Sequence, residues 1–228
     1  MGIDVSSERL QVVRIEPQSG HCDAVVIWLH GLGAEARDFV ALIEQLKLPS
    51  KHTIRFIFPN APCRPISING GLVMRGWYDI FPVNFSSKED TEGIKKANRQ
   101  IQEMINREIE QEKVLCDRIL LGGFSQGGAL ALYTGLRFTP TLGGIVALSA
   151  YQPLNDSLAF ECHADKALPI FMGHGLFDHI VPFNLGQMTS KQLHDLNYVV
   201  DWHSYPIKHT LHSDEIIQVG CFISDILS

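Results

Sequence analysis

The segment LLGGFSQGGALAL, Leu120–Leu132, sets a single serine among four glycines. Residues before Ser125 read as an apolar strand and those after it as a helix, so the serine falls on the corner between them. Two explanations compete for the glycines. In one they only let a strand and a helix pack closely. In the other, Gly123 to Gly127 form a G-x-S-x-G corner that lifts the hydroxyl to the carboxyl edge of a sheet. The same corner puts the Gln126 backbone N–H at a helix N-terminus, facing any negative charge that develops there.

Outward from that corner, apolar runs alternate with helical patterns. AVVIWLH (24–30), IRFIFP (54–59), RILLGGF (118–124), GGIVALSA (143–150), LPIFMGHG (168–175) and NYVVDWHSYP (197–206) read as strands. DFVALIEQLK (38–47), QGGALALYTGL (126–136) and LGQMTSKQLHDL (185–196) predict helices. TEGIKKANRQIQEMINREIEQEK (91–113) predicts the strongest, with Ile94, Ala97, Ile101, Met104, Ile105 and Ile109 on one face. SDEIIQVGCFISDIL (213–227) closes the chain as a helix with Ser213 as its expected N-cap. Continuous apolar strands separated by helices imply a mostly parallel central sheet covered on both faces. With no linker or repeat in view, residues 1–228 are expected to form one α/β domain. The stretch from Asn60 to Phe85 has no clean period and is too long for a plain connection.

Composition narrows the function classes. A chain of 228 residues with 45% hydrophobic residues can build a sizeable core, and its net charge of −6 argues against a nucleic-acid partner. The start MGIDVSSERL lacks an apolar stretch with a cleavage site, and no apolar run is long enough to span a bilayer. Gly2 with Ser6 fits the bare myristoylation pattern, a match short enough to arise by chance. Five cysteines, an odd number without a CxxC pair, suggest neither a zinc knuckle nor a disulfide framework and fit a reducing cytoplasm.

A serine hydroxyl needs a base, and on such a sheet an acid and then a histidine should follow, each after a later strand. Asp178 lies just past LPIFMGHG, in HGLFDHIVP. Asp156 and Asp165 precede that strand, Asp195 falls on a helix and Asp201 lies inside the last strand. Of ten histidines, His209 and His212 both stand in the required place after the last strand. His212 adjoins the helix start, so position favours His209. HGLG (30–33) offers a second oxyanion donor, the Leu32 N–H between two glycines, with His30 read as structural. Leu72, Met74, Trp77, Phe81 and Phe183 supply apolar loop material that either lines an acyl groove or caps the sheet edge.

Together WLHGLG (28–33), FIFPNAP (56–62), MRGWYD (74–79), GGFSQGG (122–128), GHGLFDHIVP (173–182) and YPIKH (205–209), with Asp214 and Glu215 downstream, run over nearly the whole chain. In that order they resemble the phospholipase/carboxylesterase family of α/β-hydrolases, which includes acyl-protein thioesterases. The resemblance implies an α/β-hydrolase fold without a large lid domain, a triad of Ser125, Asp178 and His209, and Leu32 and Gln126 as oxyanion donors. It selects His209 because the family's histidine follows its tyrosine by four. Two departures stand out: Ala34 and Glu35 follow Gly33 where the family reads HGLGD, and Lys208 precedes His209 where the family has glycine or methionine. A cation beside the imidazole is expected to move the pH optimum downward.

The expected activity is hydrolysis of carboxylic esters or thioesters of acyl chains through an acyl-enzyme, with no metal or organic cofactor. Expected substrates are a small acyl ester or thioester, a lysophospholipid or an acylated protein. At most transient contact with a membrane surface is expected, and a homodimer is compatible with the sequence. Two rivals use the same residues: an acyltransferase, differing only in what attacks the acyl-enzyme, and a non-catalytic hydrolase-like binding protein, which would be expected to lose part of the triad. A serine peptidase on this fold would carry an added domain, for which 228 residues leave no room.

Overall fold

All six apolar runs become parallel strands, five of them flanked by neighbours on both sides and buried along their length, and the last, ending the sheet, only partly buried. In this computed structural model, which describes residues 9–82 and 89–227, the strands are β1 (Val12–Ile15), β2 (Ala24–Leu29), β3 (Ile54–Pro59), β4 (Cys63–Ile66), β5 (Leu72–Arg75), β6 (Ile119–Phe124), β7 (Gly144–Leu148), β8 (Ile170–Gly175) and β9 (Val200–Tyr205). The helices are α1 (Leu42–Gln45), α2 (Thr91–Glu110), α3 (Gln126–Gly135), α4 (Leu158–Glu161), α5 (Phe183–Asp195) and α6 (Ser213–Leu227). Seven strands form one sheet in the order β1-β3-β2-β6-β7-β8-β9, antiparallel only where β1 meets β3. The Gly2–Ser6 pattern and the end of the Asn60–Phe85 stretch lie outside the described residues.

Side chains alternate across the strands and divide the core in two. Val25, Ile27 and Leu29 face a layer containing Ile94, Ala97, Ile101 and Ile105 of α2, Leu130 of α3 and Leu193 of α5. Val26 and Trp28 face the other way, joining Phe56 and Phe58 against Leu42 of α1 and Ile216, Val219 and Ile223 of α6. The predicted face of α2 is the buried one, and Asp90 caps that helix by accepting from the Gly93 N–H at 2.9 Å.

Three local readings change. The helix expected over 38–47 is two short pieces, a 3-10 turn at Ala36–Phe39 and then α1. Asp38 is committed to the first turn, where it accepts from the Glu35 N–H at 2.8 Å, and Lys47 leaves the helix with a positive φ of 53°. The Asn60–Phe85 stretch contains a hairpin, β4 with β5, turned through Gly70 and Gly71 at φ 65° and 82°. The N-terminal part supplies the extra edge strand β1, too short and too charged to carry an apolar signal.

Buried charge holds that edge in place. Arg14 of β1 and Arg55 of β3 donate to Glu108 of α2, at 2.6 and 2.8 Å, and Glu108 is 1% exposed. Arg55 also reaches Glu16 and Glu112. Removing the buried partner strands a desolvated guanidinium. Glu108→Ala should therefore destabilise the fold by about 3 kcal/mol, the low end for breaking a buried pair because Glu16 and Glu112 still face Arg55. Urea unfolding measures this, and a loss within the range of an ordinary surface substitution would contradict it.

Candidate active site

The chain passes from β6 into α3 through a single residue, and that residue is Ser125, at φ 56° and ψ −121°. A side chain in this region is strained, so the surroundings must hold it. The Ser125 N–H donates to the Leu148 carbonyl at 2.8 Å, and the Ser125 carbonyl accepts from Ala129 at 2.9 Å. A Cβ at Gly127 would collide with the Leu29 carbonyl, so α3 sits this close to β2 only because glycine is there.

Asp178 and His209 arrive from the turns after β8 and β9. These two turns are laced together: the Leu176 N–H donates to the Tyr205 carbonyl at 2.8 Å and the Phe177 N–H to the Ile207 carbonyl at 2.9 Å. Asp178, with its side chain fully buried, accepts from the Ile180 and Val181 N–H groups at 2.9 Å each through Oδ1. Its Oδ2 accepts from His209 Nδ1 at 2.7 Å. A carboxylate can only accept, so Nδ1 carries the proton and Nε2 is left as the acceptor. Ser125 Oγ lies 2.9 Å from that Nε2. The structure thus brings Ser125, His209 and Asp178 into one hydrogen-bonded line, in which the imidazole can take the serine proton while the carboxylate holds its tautomer. The Phe124 ring packs under the His209 imidazole, with centroids 4.8 Å apart. Lys208 points to solvent.

His212 is turned away. Its ring stacks on Tyr205 at 5.7 Å, its carbonyl accepts from Ile216, and its N–H donates to Glu215 Oε2 at 3.2 Å. His212 is therefore the N-cap of α6, with Glu215 reaching back as in a capping box, and Ser213 is the first helical residue rather than the cap.

On the opposite side, the loop after β2 carries Leu32. The Gly33 N–H donates to the Arg75 carbonyl at 2.8 Å and the Ala34 N–H to the Gly31 carbonyl at 3.2 Å. The Leu32 N–H has no acceptor among the described residues. Gln126 opens α3, in the first turn, where amide hydrogens lack intrahelical acceptors. Leu72 and Met74 lie on the hairpin beside this loop, with Leu72 exposed and the Met74 sulfur against Gly33. Phe81 is exposed farther along. Phe183 is not grouped with them, since its ring packs on Trp202 and His174 at 5.8 and 5.9 Å. Trp77 is only 1% exposed, with its ring N–H committed to the His30 carbonyl at 2.9 Å. Sequence reasoning passed over Leu176, Phe177 and Ile180, exposed apolar residues bracketing Asp178. Three hydrophobes within five residues of an acid, in a loop, were the available signal.

Comparison with known proteins shows the family. The model of the family described as phospholipase/carboxylesterase matches residues 10–227. A protein of Debaryomyces hansenii named acyl-protein thioesterase 1 is 35% identical over 229 residues, covering 97% of this chain and 99% of its own. Its namesake in Gibberella zeae is 36% identical over 229 residues, covering 96% and 97%. The crystal structure of Zea mays acyl-protein thioesterase 2 superposes with a TM-score of 0.83 at 26% identity, covering 96% of this chain and 99% of that one.

In the first turn of α6, after the His209 turn, Glu215 is a further buried acid. Burial pushes its carboxyl up to about 7 from an ordinary value of 4.5, against the smaller downward pull of the His212 N–H. An acid that holds its proton more tightly when folded adds stability below about pH 4.5 and loses it as the pH rises through 7. Glu215→Gln keeps an acceptor for His212 and removes the titration. The variant should therefore gain stability relative to the parent between pH 5 and 8, by up to about 3 kcal/mol. Melting curves across that range test this, and a difference that stays flat with pH would refute it.

Proposed function

Because the chain belongs to the phospholipase/carboxylesterase family, we propose that it is a serine hydrolase cleaving carboxylic esters or thioesters of acyl chains through an acyl-enzyme on Ser125. The observation carrying this reading is the line from Ser125 Oγ through His209 to Asp178, at 2.9 and 2.7 Å. His209 Nε2 takes the hydroxyl proton as Oγ bonds to the substrate carbonyl, and the carbonyl electron pair moves onto oxygen. The Leu32 and Gln126 N–H groups receive that oxyanion. On collapse, the ester or thioester bond breaks and His209 passes its proton to the departing alcohol or thiol. Water, deprotonated by the same nitrogen, then frees the carboxylic acid and restores Ser125. No step calls for a metal or an organic cofactor.

The substrate class is an acylated protein, as the names of the relatives suggest, or a lipid, as the family's description suggests, and exposed Leu72, Phe81, Leu176, Phe177 and Ile180 suit an acyl chain. We read residues 1–228 as a single domain working in the cytoplasm. Five unpaired cysteines favour that compartment, and no helix among the described residues is long and apolar enough to cross a membrane.

A fluorophosphonate probe should label the protein and fail to label Ser125→Ala; equal labelling of both would overturn the assignment. Asp178→Asn should lower kcat by roughly 10⁴, as expected when the imidazole tautomer is no longer held. His209→Ala should abolish turnover of p-nitrophenyl esters and acyl-thioesters while His212→Ala keeps it. The reverse result would move the base.

A further inference from the structure

The proposed mechanism uses only the backbone of Gln126, yet its side chain is 3% exposed and fully engaged. Its Oε1 accepts from the Trp77 N–H at 2.9 Å, and its Nε2 donates to the Tyr78 carbonyl at 2.8 Å. The Trp77 ring N–H in turn donates to the His30 carbonyl at 2.9 Å, and the indole packs on the His30 ring at 5.2 Å. His30 is bracketed as well: Nε2 accepts from the Ala61 N–H at 3.0 Å, leaving Nδ1–H to donate to the Gly31 carbonyl at 2.7 Å. Burial holds this imidazole below its ordinary range, in keeping with a neutral ring that donates once and accepts once. His30 and Gly31 immediately precede Leu32. A continuous buried relay of direct hydrogen bonds therefore joins Gln126, one amide of the oxyanion hole, to the peptide units that aim Leu32, the other.

We propose that the Gln126 carboxamide and the Trp77 indole are positioning residues that set the spacing and direction of the two oxyanion-hole amides. This rests on the hydrolase reading above and deepens it. One amide lies on the loop after β2 and the other at the start of α3 after β6, so no single element holds them at a common point. Oxyanion donors act only within a narrow distance of the developing charge, and small misplacements are costly in rate. The indole is closed off on all sides, so it has no face to offer an acyl chain. Its one polar atom is spent on the loop that carries Leu32.

The test uses Trp77→Phe, which removes the ring N–H together with the five-membered part of the indole, and Gln126→Met, which keeps length and removes both carboxamide bonds. Each is assayed with a p-nitrophenyl ester and with two inhibitors of equal chain length. One is an alkyl trifluoromethyl ketone, to which Ser125 Oγ adds, pushing the carbonyl electron pair onto oxygen as the hydroxyl proton passes to His209. The other is the corresponding secondary alcohol, which forms no oxyanion. Both variants should lose about 10- to 100-fold in kcat with KM within about twofold, and ketone affinity should fall by the same factor while alcohol affinity holds. Urea midpoints establish that each variant is folded, and Trp77→Phe stands alone if Gln126→Met does not fold. Ketone affinity equal to the parent's would overturn the proposal, as would equal losses for ketone and alcohol, which mark damage to a groove. A parent protein that neither reacts with fluorophosphonate nor binds the ketone would instead overturn the hydrolase reading itself.

Discussion

The structure depends on one close approach, that of Gly127 to the Leu29 carbonyl. It lets α3 start directly over β2, so the chain must reverse within Ser125 and accept a positive φ there. Backbone strain of this kind costs on the order of 1–3 kcal/mol. The compensation is local: Ser125 is bonded at both ends of its peptide, to Leu148 and to Ala129, and β6 lies between β2 and β7 in the middle of the sheet. A serine at a relaxed helix start would point its hydroxyl back at its own turn, as an N-cap does. Here no side-chain capping bond forms, and the hydroxyl is free for an imidazole.

Parallel strands then bring the remaining parts to the same edge. Leu32 follows β2, Ser125 follows β6, Asp178 follows β8 and His209 follows β9, so residues spread over 178 positions meet where the strands end. Strand order alone leaves ångströms of slack, and direct bonds between loops remove it. The turns after β8 and β9 share two backbone bonds, which is why a carboxylate and an imidazole carried by different loops meet at 2.7 Å.

Much of this was legible because the signals are local. A strand buried on both faces must be apolar throughout, so β2, β3, β6, β7 and β8 announce themselves, and α2 does so through its single apolar face, while β9, at the sheet edge, is only partly buried and mixes polar residues into its run. Ser125 is marked by its glycines, whereas place after the last strand narrows the histidines to His209 and His212 and the family resemblance selects between them. What escaped was long-range. β1 makes sense only once Arg14 meets a glutamate 94 residues away, and Trp77 reads as groove material until its ring N–H is found on His30. The break before α1 lies in three-residue backbone bonds, Val40 to Arg37 and Ile43 to Val40, that periodicity does not register. The hairpin of β4 and β5 had a local signal, Asn69-Gly70-Gly71, but its strands are half exposed and lack a buried face to give them a period.

The same distinction between local and long-range separates His30, His174 and His209. His30 and His174 are both buried, and each spends a ring N–H on a backbone carbonyl, Nδ1–H to Gly31 in one and Nε2–H to Val181 in the other. Desolvation lowers both, so they serve as neutral brackets holding loops rather than as acids. The Val181 that His174 holds also donates its own N–H to Asp178, so that bracket steadies the carboxylate from behind. His209 differs in being 17% exposed, with a carboxylate on one nitrogen and a hydroxyl on the other. An imidazolium formed there is bonded directly to the buried Asp178 carboxylate, whereas protonating His30 would break the bond from the Ala61 N–H, and protonating His174 would put a second N–H on Nδ1, which has no acceptor among the described residues, although Asp178 lies 3.6 Å from its Nε2. Burial thus divides three chemically identical side chains between two environments, and the proposed proton transfer rests on the one that can be charged without leaving the fold unsatisfied.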